Sequence, residues 1–145
     1  NMGEARERAG HLLEMVGLSG FANSYPYELS GGMQQRAAIA RALVHDPKLI
    51  LMDEPFGALD ALTREKMNLE LLRIWGESGK TIVFVTHGIQ EAVFLGSRVV
   101  VLTAGPARMA DNFLVDLPHP RSLDIKTTEV FGDYTRRIYK LLGME

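Results

Sequence analysis

The chain has 145 residues, of which 46% are hydrophobic and 23% charged, the composition of a folded globular domain rather than a disordered or fibrous one. Its net charge of -2 supplies no long-range attraction for nucleic acid or anionic lipid, and the absence of cysteine rules out disulfides, thiolate metal sites and cysteine nucleophiles, as suits a reducing cytoplasm. No apolar run approaches the ~20 residues of a membrane-spanning helix, and the opening Asn1-Met2-Gly3-Glu4-Ala5-Arg6 carries no apolar signal region, so any membrane role is expected to come through a partner.

Ala5, Ala9, Leu12, Leu13 and Val16 recur at helical spacing, with Gly17 placed to stop the helix. A loop rich in Gly, Ser, Tyr and Pro runs to Glu28, and Ser30 is set to cap a helix through Gln34 to Val44, with Pro47 closing the connection. Leu49-Ile50-Leu51-Met52 has no polar face and reads as a buried strand of a parallel sheet. Met67, Leu71, Ile74 and Trp75 mark an amphipathic helix ending near Gly79. Thr81 to Val85 reads as a second buried strand and Arg98 to Leu102 as a third, with a short helix through Ile89, Ala92, Val93 and Leu95 between them. Strands alternating with helices in this way give an α/β fold. Met109 to Leu117, bounded by Pro118 and Pro120, reads as an antiparallel hairpin or edge segment. Val130, Tyr134, Ile138, Leu141 and Leu142 form the stripe of a closing helix.

Four segments carry chemistry. Leu29-Ser30-Gly31-Gly32-Met33-Gln34-Gln35 stands at the mouth of a helix, where two glycines let backbone N–H groups approach an anion and the helix dipole favours negative charge; a plain flexible cap would read the same way. Asp53-Glu54-Pro55 ends a buried strand, which puts two carboxylates at the sheet edge where open α/β folds bind ligands. Asp53 could hold Mg²⁺ through water and Glu54 could take a proton from an attacking water, although two acids can also simply end a strand in solvent. Asp60, after Gly57-Ala58-Leu59, reads as a helix N-cap. His87 follows a strand, and its neutral imidazole could hydrogen-bond a phosphate oxygen and a water, or act only locally.

Taken together, the order and spacing of these segments resemble the C-terminal half of ABC transporter ATPase domains along almost the whole chain. Leu29 to Gln35 resembles the family's signature motif, with Met33 where Gln is commonest. Leu49 to Glu54 resembles its Walker B strand, Ala58-Leu59-Asp60 its D-loop, and His87 its switch histidine. Leu102 to Arg121, ending Val115-Asp116-Leu117-Pro118-His119-Pro120-Arg121, looks like importers of nitrate, sulfonate or taurine. The resemblance implies a partial P-loop NTPase fold with parallel strands: a signature helical subdomain over 1–47, an α/β core carrying Walker B and the switch histidine over 48–104, and a C-terminal extension with a hairpin and helix over 105–145.

In the family, two ATPase domains pair head to tail around two ATP molecules and drive transmembrane permease subunits from the cytoplasmic side of the inner membrane. Carried over, Ser30, Gly31, Gly32 and Gln35 would face ATP held by a partner. Asp53 would hold Mg²⁺, Glu54 and His87 would act on ATP of their own subunit, and Asp60 would communicate across the pair. The chain contains no G-x-x-x-x-G-K-[ST], so the phosphate-cradling loop and its lysine are missing, as are the family's adenine-stacking aromatic and glutamine loop. Hydrolysis of ATP by this chain alone is therefore not expected. The family's strand that feeds the phosphate loop lies between those matching Thr81–Val85 and Arg98–Leu102, so its absence should leave strand edges open to another chain. Gly88 replaces the family's usual Asp and removes a cap for the helix at Ile89. A freestanding module that binds a cassette partner or its own copy is the competing reading. A chromosome-maintenance ATPase half is a third, disfavoured by the short spacing from signature to Walker B, by Gln34-Gln35-Arg36 and by the absence of a heptad run.

Overall fold

The computed structural model describes residues 1–144, which divide into two compact units, Asn1–Val85 and residues 86 onward. In the first unit the elements are α1 (Met2–Met15), α2 (Gly31–Leu43), β1 (Leu49–Asp53), α3 (Ala61–Ser78) and β2 (Thr81–Val85). Helix α1 starts on an Asn1 cap, and Gly17, at φ 72°, turns the chain away after its end. Short 3-10 turns at Ser19–Phe21 and Pro26–Glu28 occupy the Gly- and Pro-rich loop. The Ser30 hydroxyl accepts from Met33 N at 3.3 Å, the expected cap of α2. Helix α3 ends where Gly79 adopts φ 65°, a left-handed conformation that glycine enters without steric penalty.

Strands β1 and β2 pair in parallel, with Leu49 opposite Thr81 and Asp53 opposite Val85, and α3 is the crossover between them. One face of this sheet belongs to the core. Ile50 and Met52 are buried, together with Phe56 of the following loop, Ile39 and Leu43 of α2, and Met67, Leu71 and Ile74 of α3. The other face is bare: Leu49 is 50% exposed, Leu51 73%, Val83 49% and Val85 50%. Burial on both faces, expected from the unbroken apolar runs, is therefore not found. A run without a polar face reports that something is meant to cover both sides, and no described element of this unit covers the second.

The second unit contains α4 (Ile89–Leu95), β3 (Arg98–Leu102), β4 (Met109–Leu114) and α5 (Glu129–Leu141). Strands β3 and β4 form an antiparallel pair with an irregularity at Val101/Leu102, so the segment read as a hairpin or edge is the partner of β3. Val99, Val101 and Phe113 face the core with Val93 and Phe94 of α4 and Phe131 and Ile138 of α5. Strands β2 and β3 do not pair with one another; the described strands form two separate two-stranded sheets. Each of these two-stranded sheets leaves strand edges open.

The buried stripe of α5 is Phe131, Thr135 and Ile138, at i, i+4 and i+7, while Val130 and Leu142 are exposed. The expected stripe through Val130 is therefore not the buried one; Phe131, the third residue of the helix that Thr128 caps, faces inward instead. Tyr134 stacks on Phe113 at 5.8 Å and its hydroxyl accepts from Asp116 N at 2.9 Å, so a half-polar residue fastens α5 beside β4.

Candidate functional site

The first turn of α2 and the segment leading into α3 enclose a cleft of about 760 Å³, within the range of small-molecule sites. Ser30, Gly31, Gly32 and Met33 form one wall, and Leu59, Asp60, Thr63 and Lys66 the other. The walls approach closely at Gly31 and come to ordinary contact at Gly32. A Cβ on Gly31 would stand 3.2 Å from Leu59 Cδ2, and one on Gly32 3.4 Å from Thr63 Cγ2. The structure thus gathers Ser30, Gly31, Gly32 and Asp60 of the expected set. Gln35 is half-buried and does not line the cleft.

Asp60 caps α3. Its Oδ1 accepts from Thr63 N and its Oδ2 from Thr63 Oγ1, both at 2.7 Å. The Thr63 amide, and after it the Thr63 hydroxyl, hold this carboxyl below its ordinary value of 3.8. A folded-state value below the unfolded one means the cap contributes stability above the ordinary carboxylate range and loses it as pH falls through the folded value. The Thr63 amide resonance should accordingly titrate below the ordinary aspartate value, and Asp60→Asn should flatten that dependence; NMR chemical shifts across acidic pH test this.

Asp53 and Glu54 are both exposed at the C-terminal end of β1, as the strand-end reading requires, and neither lines the cleft at α2. Glu54 has φ 45°, an uncommon conformation for a non-glycine residue, while its N–H donates to Val85 O at 2.8 Å. That bond continues the β1–β2 ladder by one step, and the left-handed turn then sends the chain into the Pro55–Asp60 loop. Non-glycine residues held this way collect at functional sites.

His87 belongs to the second unit and is exposed. Its surroundings are fixed by Thr86, whose hydroxyl accepts from Gly88 N at 2.9 Å and donates to a Glu91 carboxylate oxygen. Helix α4 has no side-chain cap at Gly88, as the sequence implied. The Thr86 hydroxyl takes the Gly88 N–H instead.

Two positioning side chains escaped the sequence reading. Gln34 Nε2 donates to Pro26 O at 2.8 Å and Leu29 O at 3.2 Å, stapling the loop that enters the cleft. Its only sequence signal is that it precedes Gln35 in a doublet. Arg64 reaches from α3 back to the Phe56–Leu59 backbone.

The residues present fit part of a nucleotide site. The helix start, its glycines and the wall they share with Leu59 can receive an anion. Among the described residues, no group of three or more His, Cys, Asp or Glu gathers to hold a metal ion. Mg²⁺ keeps several waters and takes one or two carboxylates beside substrate phosphates, a donor set whose chemistry the exposed carboxylate of Asp53 fits.

Residues 1–57 match the family model described as ABC transporter. An ABC transporter ATP-binding protein of Methanocaldococcus jannaschii is 52% identical over 142 residues, covering 98% of this chain and 52% of that protein. An aliphatic sulfonates import ATP-binding protein of Bacillus cereus is 46% identical over 133 residues, covering 92% of this chain and 52% of that one. Among solved structures, a dimeric bacterial ABC transporter cassette superimposes with a TM-score of 0.62 at 43% identity, covering 81% of this chain and 50% of that one. The chain spans about half the length of the curated relatives it matches.

Proposed function

The chain belongs to the ABC transporter family of ATP-binding proteins, and we propose that it is the C-terminal half of an importer's ATP-hydrolysing subunit, serving sulfonate, taurine or nitrate-type anions. The observation that carries this reading is the bare face of the β1–β2 sheet, where Leu49, Leu51, Val83 and Val85 lie open beside unpaired strand edges. An apolar surface of that kind is complete only when another segment covers it. The chain matches about half the length of those relatives, and the reading assigns the cover of this face to the half it does not match.

In the completed domain, Glu54 accepts the proton of the attacking water and His87 hydrogen-bonds the γ-phosphate and that water. Asp53 would hold Mg²⁺, which would supply charge neutralisation at the phosphate oxygens. Ser30, Gly31, Gly32 and Gln35 contact ATP held by a second ATPase subunit, and Asp60 stands at the junction of the pair. The domain sits on the cytoplasmic side, attached to permease subunits; no described helix is long and apolar enough to cross a membrane.

The test is calorimetry with MgATP on the chain alone and after addition of the N-terminal half of a relative's ATP-binding subunit. The expected result is no binding alone, with binding and hydrolysis once the halves are combined. Tight binding by the chain alone would contradict the account of the missing phosphate loop. A second reading, a freestanding module that associates with its own copy, is favoured by the open edge of β2. It predicts a dimer or larger species in sedimentation and no response to the added half. A monodisperse monomer counts against it.

A further inference from the structure

Between the acids at the end of β1 and the start of α3, Phe56 to Asp60 form two successive turns, with Gly57 N donating to Glu54 O and Leu59 N to Phe56 O, each at 3.1 Å. Phe56 is 1% exposed and anchors the segment by its ring. The backbone beyond it is held by one side chain. Arg64 Nε donates to Phe56 O at 3.2 Å, and Nη2 donates to Gly57 O at 3.3 Å and to Leu59 O at 3.1 Å. Three carbonyls of one short loop thereby converge on one planar guanidinium, whose fixed fork suits several acceptors at once.

We propose that Arg64 is a positioning residue for ATP hydrolysis, setting the distance between the acid-bearing end of β1 and the N-terminal turn of α2. The link runs through Leu59, whose backbone Arg64 holds and whose side chain packs where a Cβ on Gly31 would lie 3.2 Å away. On one side of the fork stands Glu54, bonded through its carbonyl to Gly57 N; on the other stands Asp60, already committed to capping α3. Releasing the three carbonyls frees the loop to move Leu59 away from Gly31 and to let the Glu54 turn relax, without touching any group that meets nucleotide. Lysine keeps the charge but not the fork, so it restores only part of this constraint.

This inference rests on the ATPase reading for its kinetic consequence, and its structural consequence stands apart from that reading. In the chain alone, Arg64→Ala should raise amide exchange across 57–60 by about tenfold or more, the scale expected for losing hydrogen bonds to a charged donor, while the melting transition and exchange in β1 and β2 stay near wild type. With an added N-terminal half, kcat should fall by a similar factor of about ten with KM for ATP unchanged, because Arg64 meets no substrate. Arg64→Lys should lie between, and ethylguanidinium should partly restore the Ala variant. Unchanged loop exchange, a general loss of protection matching a lowered melting transition, or full wild-type behaviour of Arg64→Lys would each overturn the proposal. If the wild-type halves show no hydrolysis, the ATPase reading fails while the exchange measurement still decides the role of Arg64.

Discussion

Glu54→Gln, introduced into the chain and combined with an N-terminal half, is expected to lower ATP turnover by about 10²- to 10⁴-fold while leaving nucleotide binding in place, the span that a positioned general base contributes. Glutamine preserves the size of the side chain and its capacity to hydrogen-bond, but it cannot take the proton. The backbone supports the choice of residue. Glu54 stands at φ 45°, exposed, with its N–H bonded to Val85 O at 2.8 Å. A left-handed conformation at a non-glycine residue costs on the order of 1 kcal/mol or more, a cost that glycine would avoid.

A second variant separates strain from chemistry. Glu54→Gly relieves the backbone and removes the carboxylate, so it should fold at least as well as the native chain and be as inactive as Glu54→Gln. Steady-state hydrolysis and calorimetry with MgATP measure both. Wild-type turnover by Glu54→Gln would remove Glu54 from the role of base, whereas loss of binding would mean that its charge serves the ground state instead.

Much of the element order was legible because short-range signals agree with one another. Ser30, Asp60 and Gly79 mark their helix ends by capping chemistry that acts within a few residues. The strands were legible as strands, but their burial was not. Leu49, Leu51, Val83 and Val85 are apolar yet exposed, and hydrophobicity records a requirement for cover rather than who fulfils it. The α5 stripe was misplaced because Val130 and Phe131 are both apolar neighbours, and spacing alone does not choose between them; packing buries Phe131.

The residues that carry the family motifs were singled out by their type and spacing along the chain. The long polar side chains that hold those motifs in place were not, because an arginine or glutamine on a helix has the same sequence appearance whether it is solvated or collects carbonyls from a distant turn. Gln34 and Arg64 are of the second kind. Asp60 is a case where the local reading is the one the geometry displays, since both its carboxylate oxygens are engaged by Thr63.

Arg121 is the extreme of this type, and Arg121→Ala is expected to cost about 3–5 kcal/mol, the scale of stranding buried groups that had a charged partner. Its side chain is buried, at 5% exposure. Nη1 donates to Val93 O at 3.1 Å, Phe94 O at 2.9 Å and Gly96 O at 2.8 Å, and Nη2 to Val115 O and Leu117 O, each at 3.4 Å. The guanidinium thus closes the C-terminal end of α4, where carbonyls lack partners within the helix and the dipole favours a cation. It also ties that end to the segment following β4. Burial pushes its pKa down from the ordinary arginine value, while five carbonyls accept hydrogen bonds from the guanidinium. Alanine leaves those oxygens unpaired and opens a void beside Phe94, which is fully buried. Total stabilities of small domains are about 5–15 kcal/mol, so the loss should unfold a large share of the second unit at moderate temperature. Amide exchange over 93–102 reads that unit, and fluorescence of Trp75, the single tryptophan, reads the first. Arg121→Lys, with three donors in place of the fork, should fall between wild type and Ala; protection of Val93 to Gly96 unchanged in Arg121→Ala would show that the five bonds do not hold α4 in place.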